Sequence, residues 1–152
     1  MNPFHFINRS AEIARAAHAD QTDKAGVDYF SGHLTSVASM GKNWKEQVLG
    51  YLHDVAEDTP ISEDEVMELL QSEVKLDKND AAELLEALRL LNNKNFPDRD
   101  TYLKAVKENP LAKAVKINDL NNNMELTRIA NPAEKDHARV ERYKREIAWM
   151  RD

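Results

Sequence analysis

The sequence predicts an all-α protein of roughly seven to nine helices folded as one domain over residues 1–152, and three observations carry that prediction. Apolar residues recur at three- and four-residue spacing through most of the chain, as helices that bury one face require. Only 4 glycines and 5 prolines occur in 152 residues, and most fall where such helices would start or stop. Capping signatures precede several of the apolar stripes, Ser62-Glu63-Asp64-Glu65 being the clearest. At this length one core suffices, because a domain of this size buries about two-thirds of the surface its unfolded chain exposes.

In chain order, Asn2-Pro3 supplies a cap and a first-turn proline for a helix whose buried stripe is Phe6, Ile7, Ile13, Ala14 and Ala17. It ends near His18, which reads as a packing or capping group, with metal ligation as the alternative. From Asp20 to Gly32 the pattern breaks, and a loop of that length in a helical domain is often functional. The loop holds Gln21, Lys24 and Tyr29 as candidate substrate contacts, although Lys24 by itself is most simply a surface charge.

His33 opens a second helix with Leu34, Val37, Ala38 and Met40 buried and Gly41 at its end. Asn43 to Glu46 reads as a capping box for a helix whose Val48, Leu49 and Leu52 lead into His53-Asp54. Thr59-Pro60 stops it, and Ser62 caps the next helix, with Val66, Met67, Leu69 and Leu70 apolar. Asn79 or Asp80 caps a helix that turns Leu84, Leu85, Leu88 and Leu91 inward before the turn-rich run Asn92 to Pro97. A short helix spans Asp100 to Asn109, and Pro110 starts one with Leu111, Ala114, Val115, Ile117, Leu120 and Met124 at helical spacing. After Asn131-Pro132, a last helix packs Val140, Tyr143, Ile147 and Met150 and leaves Arg139, Arg142, Lys144 and Arg145 mostly exposed.

Composition narrows the function classes. The absence of cysteine excludes disulfides, thiolate catalysis and a cysteine-based zinc site, and leaves His, carboxylate and carbonyl oxygen as ligands. A formal net charge of -6 argues against nucleic acid as a partner, since such binding relies on a basic surface. No apolar run approaches the ~20 residues of a membrane span, and Phe4 to Arg9 is too short and polar for a signal sequence. The expectation is a soluble, cytoplasmic protein. The sequence is compatible with a homo-oligomer but does not reveal one.

Two stretches carry chemistry. Leu52-His53-Asp54-Val55-Ala56-Glu57-Asp58-Thr59 concentrates an imidazole and three carboxylates. At about 100° per residue His53 and Glu57 share one helical row and Asp54 and Asp58 the next. An adjacent His-Asp pair can supply two metal ligands while carboxylates one turn on handle a water; the bland alternative is a helix end trailing acids into a loop. The second stretch is Asn118 to Asn123, where three consecutive asparagines interrupt an apolar helix pattern. Asparagine competes for the backbone and weakens helices, so this local conflict reads either as a site or as a loop after a shorter helix.

The order His33, His53-Asp54, Glu57-Asp58, Asp119 resembles the HD-domain metal phosphohydrolases, whose ligand order is H…HD…D. With Ala17-His18-Ala19-Asp20-Gln21, Lys24, Gly26, Tyr29, and Lys116-Ile117-Asn118-Asp119-Leu120 through Asn123, the likeness extends to the hydrolase domain of RelA/SpoT proteins and their small stand-alone relatives. That resemblance implies an HD-type helical bundle in which His33, His53, Asp54 and Asp119 hold one divalent ion, Mn2+ foremost. It implies that Glu57 and Asp58 orient and deprotonate the attacking water, and that Lys24, Asn123 and Tyr143 contact a small phosphorylated nucleotide. The reaction implied is hydrolysis of the 3′-pyrophosphate of guanosine tetra- or pentaphosphate. Two departures stand out. Asp23-Lys24 replaces the family's basic pair, which weakens the guanine assignment because an acid neither stacks on rings nor pairs with phosphate. Leu34 stands where a proline usually follows the ligand histidine. The alternatives are an HD-type nucleotide phosphomonoesterase and a nucleotide-binding sensor module without turnover.

Overall fold

Side-chain caps set where the helices begin. The Asn2 carboxamide accepts the Phe4 N–H at 3.0 Å ahead of Pro3. Ser62 and Glu65 close a reciprocal capping box. Asn43 accepts the Glu46 N–H, but the Glu46 carboxylate reaches back to Lys42 N and the Asn43 amide, a variant of the expected box. One cap differs from expectation: Asp77, in place of Asn79 or Asp80, accepts the Asn79 N–H, so that helix starts at Lys78.

The computed structural model describes residues 2–73, 75–125, 129 and 131–152. Its helices are α1 (Pro3–Ala17), α2 (Thr35–Ser39), α3 (Trp44–Leu52), α4 (Val55–Asp58), α5 (Glu63–Leu70), α6 (Lys78–Leu91), α7 (Arg99–Glu108), α8 (Pro110–Asn123) and α9 (Glu134–Arg151). A π-turn at Phe30–Leu34 runs directly into α2, and a 3-10 turn at Asn93–Asn95 follows α6. Among the described residues there is no strand, only an isolated antiparallel bridge between Thr22 and Asp28. The fold is all-α, as the periodicity predicts. No helix among the described residues is long and apolar enough to cross a membrane.

Two helices lie at the centre. α3 packs against α1, α2, α6 and α8, and α8 packs against α2, α3, α6, α7 and α9. Val48, Leu49 and Leu52 of α3 and Ala112, Val115 and Leu120 of α8 are fully buried in a core that also takes Phe6, Val66, Leu84, Tyr102 and Ile147 from the surrounding helices. Gly50 makes the α2–α3 packing close: a Cβ there would lie 2.5 Å from Ala38 Cα and 2.7 Å from Ala38 N. The best-supported backbones of the bundle therefore lead into the candidate site.

Candidate metal centre and adjoining cavity

The chain delivers His33 by a wide turn. The Leu34 N–H bonds to the Tyr29 carbonyl at 3.1 Å, five residues back, and Thr35 Oγ1 donates to the Phe30 carbonyl. His33 therefore sits inside a π-turn and does not open an α-helix as the sequence predicts. Such turns carry no sequence period of their own and recur at functional sites. The turn leaves His33 only 2% exposed. Its Nδ1–H donates to Asn122 Oδ1 on α8 at 2.7 Å, which turns Nε2 toward the candidate centre.

His53-Asp54 lies at a joint. α3 ends at Leu52, His53 is its C-cap and Asp54 precedes α4 with φ -101° and ψ -3°. That conformation is the bridge region, common in active-site residues. The continuous helical row of His53 with Glu57 is thus corrected: the chain turns at His53-Asp54, and His53 Nδ1–H bonds back to the Gly50 carbonyl at 2.8 Å. Asp54 offers no cap to α4. Its Oδ2 instead accepts the Tyr29 hydroxyl at 2.5 Å.

α8 runs without a break through the asparagine cluster, because the asparagine side chains have better partners than their own backbone. Asn122 holds His33, and Asn123 Nδ2 donates to Asp119 Oδ1 at 3.1 Å. Lys116, one turn earlier, donates to Asp119 Oδ2 at 2.8 Å and lies 5.3 Å from the centre of the Tyr102 ring.

These elements bring His33, His53 and Asp119 into one buried group able to hold a metal ion. His33 Nε2 lies 2.9 Å from Asp119 Oδ1 and 3.7 Å from Asp54 Oδ2; His53 Nε2 lies 3.2 Å from Asp54 Oδ2 and 3.5 Å from Asp119 Oδ1. Donors bonded to one ion at about 2.0–2.2 Å stand about 3–3.6 Å apart for octahedral or tetrahedral angles, so the spacing of His33, His53 and Asp119 suits a shared cation, while Asp54, the expected fourth ligand, lies outside that group, near His53 and farther from His33. Nε2 of His33, His53 and also His18 is buried without a hydrogen-bond partner, and at His33 and His53 it faces the Asp54 and Asp119 carboxylates. Burial by itself would raise the Asp54 and Asp119 carboxyls. The neighbouring His53, and for Asp119 chiefly Lys116, outweigh it and hold both below the usual carboxylate range. The same two acids lift the His53 imidazole well above its ordinary value against the effect of burial. The centre thus draws in positive charge, which a divalent cation would supply.

Glu57 and Asp58, neighbours in α4, are held by different partners. Glu57 Oε1 accepts the Asn93 N–H at 3.0 Å, and Lys94 Nζ donates to the Glu57 carbonyl. Asp58 Oδ2 accepts Gln21 Nε2 at 3.2 Å, and Gln21 Oε1 in turn takes the proton of His18 Nδ1 at 2.6 Å. His18 is a buried helix cap, as its position in the sequence suggests, and also the base of this short chain to Asp58. Burial, then the charge of Asp54, raises the carboxyl of Asp58; burial likewise raises that of Glu57.

Beside the centre is a cavity of about 310 Å³. Lys24, Asn123 and Tyr143, the three residues expected at the substrate, all line it, with Tyr29 and Arg139. Arg139 is a correction: it is half-buried at the cavity and paired with Asp136 at 3.1 Å, not part of the solvated face of α9. Asp23 also borders the cavity, and its Oδ1 accepts the N–H groups of Ala25 and Val27 at 2.8 and 3.0 Å. That turn needs Gly26, whose φ is +81°. Tyr102 is core, 1% exposed, with its hydroxyl on the Leu91 carbonyl. Sequence reasoning missed Asn122 and Arg139 as site residues, and quoted Lys116 only as part of a motif; all three gain their role from partners distant in sequence or one turn away. No family model matches the chain, and no curated protein matches it.

Proposed function

We propose that the chain is a metal-dependent phosphohydrolase of the HD type acting on a phosphorylated nucleotide, with the 3′-pyrophosphate of guanosine 3′,5′-bis(diphosphate) as the group removed. One observation carries the reading: the buried Nε2 atoms of His33 and His53 meet the carboxylates of Asp119 and Asp54 beside a cavity lined by Lys24, Arg139, Asn123 and Tyr143. His33, His53, Asp54 and Asp119 would hold the ion, manganese by the family resemblance, which when bound would supply Lewis-acid polarisation of the phosphoryl group. Lys24, and Arg139 from its pair with Asp136, would offer positive charge to a phosphate bound in that cavity, and Asn123 joins the cavity wall to Asp119.

Glu57 and Asp58 serve as the base pair. One of them takes a proton from the attacking water, the new bond forms between that water oxygen and phosphorus, and the bond from phosphorus to the ribose 3′ oxygen breaks. The 3′ oxygen leaves with its electron pair and is protonated. Raised carboxyls beside two anionic ligands suit this role, because a stronger base takes a proton more readily.

A second reading, a nucleotide phosphomonoesterase, is favoured by the acids Asp23 and Glu125 in the cavity wall, which suit a substrate with fewer phosphates. The test is to incubate the manganese-loaded protein with guanosine 3′-pyrophosphates and nucleoside mono-, di- and triphosphates and to resolve all products. Pyrophosphate with GDP is the expected result. Orthophosphate from monophosphates moves the protein to the second reading, and no product despite bound metal leaves a nucleotide sensor.

A further inference from the structure

The loop 18–29 lies outside the helices that supply the candidate ligands, yet its side chains reach into the centre. Tyr29 closes it. Its N–H bonds to the Gln21 carbonyl at 2.9 Å, and its own carbonyl is the acceptor that starts the π-turn carrying His33. Its ring neighbours those of His18 and His33, with centroids at 5.3 and 5.1 Å. Its hydroxyl lies 2.5 Å from Asp54 Oδ2, the oxygen that also stands 3.2 Å from His53 Nε2. The same side chain borders the cavity.

We propose that Tyr29 is a positioning residue for the metal centre: its hydroxyl fixes the Asp54 carboxylate in the rotamer that aims Oδ2 at the two histidines, and its ring steadies His33. This inference rests on the metal-centre part of the proposed function. Asp54 has particular need of such a partner, because it sits at a helix joint in a sparsely populated backbone conformation and its side chain makes no capping bond that would orient it. The other candidate ligands each have theirs: Asn122 for His33, the Gly50 carbonyl for His53, and Lys116 with Asn123 for Asp119.

The test is Tyr29→Phe in the full chain, which keeps the ring and removes only the donor. Mn2+ alone is the probe, titrated by calorimetry and by its free-ion magnetic resonance signal, with Tyr51→Phe as the control because the Tyr51 ring stacks on Phe30 and, among the described residues, its hydroxyl bonds to no candidate ligand. Loss of an outer-shell hydrogen bond to a ligand typically costs about ten- to a hundredfold in metal affinity or activity, and a Mn2+ dissociation constant raised by that factor is the expected result. The melting temperature of the metal-free protein should stay close to wild type while the rise produced by Mn2+ shrinks. An affinity within twofold of wild type overturns the proposal, as does a loss confined to the metal-free melting temperature. Wild-type protein that binds no Mn2+ overturns it together with the metal centre. The metal titration uses no substrate, so weakened Mn2+ binding in the variant alongside no turnover by wild type would uphold Tyr29 and refute the hydrolase reading.

Discussion

His33 and Asn122, 89 residues apart in the chain, meet at 2.7 Å inside the protein, the imidazole Nδ1–H donating to the carboxamide oxygen. The bond decides which ring nitrogen is free. With Nδ1 occupied, Nε2 is the ring nitrogen that faces Asp119 and Asp54, the one a metal ion there would use. Asn122→Ala should therefore lower Mn2+ affinity about ten- to a hundredfold, and Asn122→Asp, which keeps an acceptor, should recover much of it. Metal titration of both variants checks this. Equal loss in the two would mean that the amide serves packing and not the tautomer.

Much of this arrangement is legible in the sequence, and the part that is not has a common cause. Periodicity and caps place the helices because both act within a few residues, as at Asn2, Ser62 and Pro110. The asparagine run reads as a conflict between pattern and propensity, and the conflict resolves once Asn122 and Asn123 find His33 and Asp119. Lys24, Asn123 and Tyr143 share one cavity. The π-turn at His33 and the joint at His53-Asp54 are not legible, since each is set by bonds from Tyr29, Gly50 and Asp54 that only the folded chain assembles. Asp77 escaped for a smaller reason: Asn79 and Asp80 are equally good caps by type, and the choice among them is geometric.

Glu57 supplies a prediction about pH. Burial raises its carboxyl, and Asp58 is raised by the same cause. A base must be ionised to work, so turnover should be low when these groups are protonated and should climb as pH rises through their elevated values, above the ordinary carboxylate range. Glu57→Gln should reduce kcat about a hundred- to ten-thousandfold and leave bound Mn2+ unchanged, because the Glu57 carboxylate accepts the Asn93 N–H and, unlike Asp54 and Asp119, pairs with neither His33 nor His53 among the described residues. A pH profile of kcat/KM with metal analysis of the same samples tests both statements. Loss of metal from the variant would instead make Glu57 part of the cage.

Lys116 makes the opposite kind of contribution. Its ammonium group is held charged against burial by Asp119, at 2.8 Å, in a setting where the lysine side chain is only 12% exposed. Breaking a buried pair by removing one partner costs about 3–5 kcal/mol, so Lys116→Met should melt well below wild type when metal-free. A divalent ion supplies the missing charge to Asp119. Excess Mn2+ should then stabilise the variant by more than it stabilises wild type. Thermal denaturation with and without Mn2+ measures the difference, and an identical metal-induced gain in both proteins would show that Lys116 acts through packing on Tyr102 alone.

Gly50 connects the core to the centre. It lies where α3 crosses α2, and a methyl group added there would come within 2.5 Å of Ala38 Cα and 2.7 Å of Ala38 N, contacts with backbone that no rotamer change can relieve. Its carbonyl also accepts His53 Nδ1–H. Gly50→Ala must push α3 and α2 apart, and these two helices follow and precede the candidate ligands, α2 directly after His33 and α3 directly before His53. Overpacking of this sort costs about 1–3 kcal/mol, which partly offsets against the better helix propensity of alanine. The sharper consequence is at the ligands, because separating the helices widens the 62° edge-on pair that the His33 and His53 rings form at 5.5 Å. Mn2+ affinity should fall in Gly50→Ala by more than its loss of stability alone would produce. Ala38→Gly in the same chain removes only a methyl group and leaves the clashing backbone in place, so it should not restore affinity; recovery in that double variant would locate the strain in the side chain and refute the backbone argument.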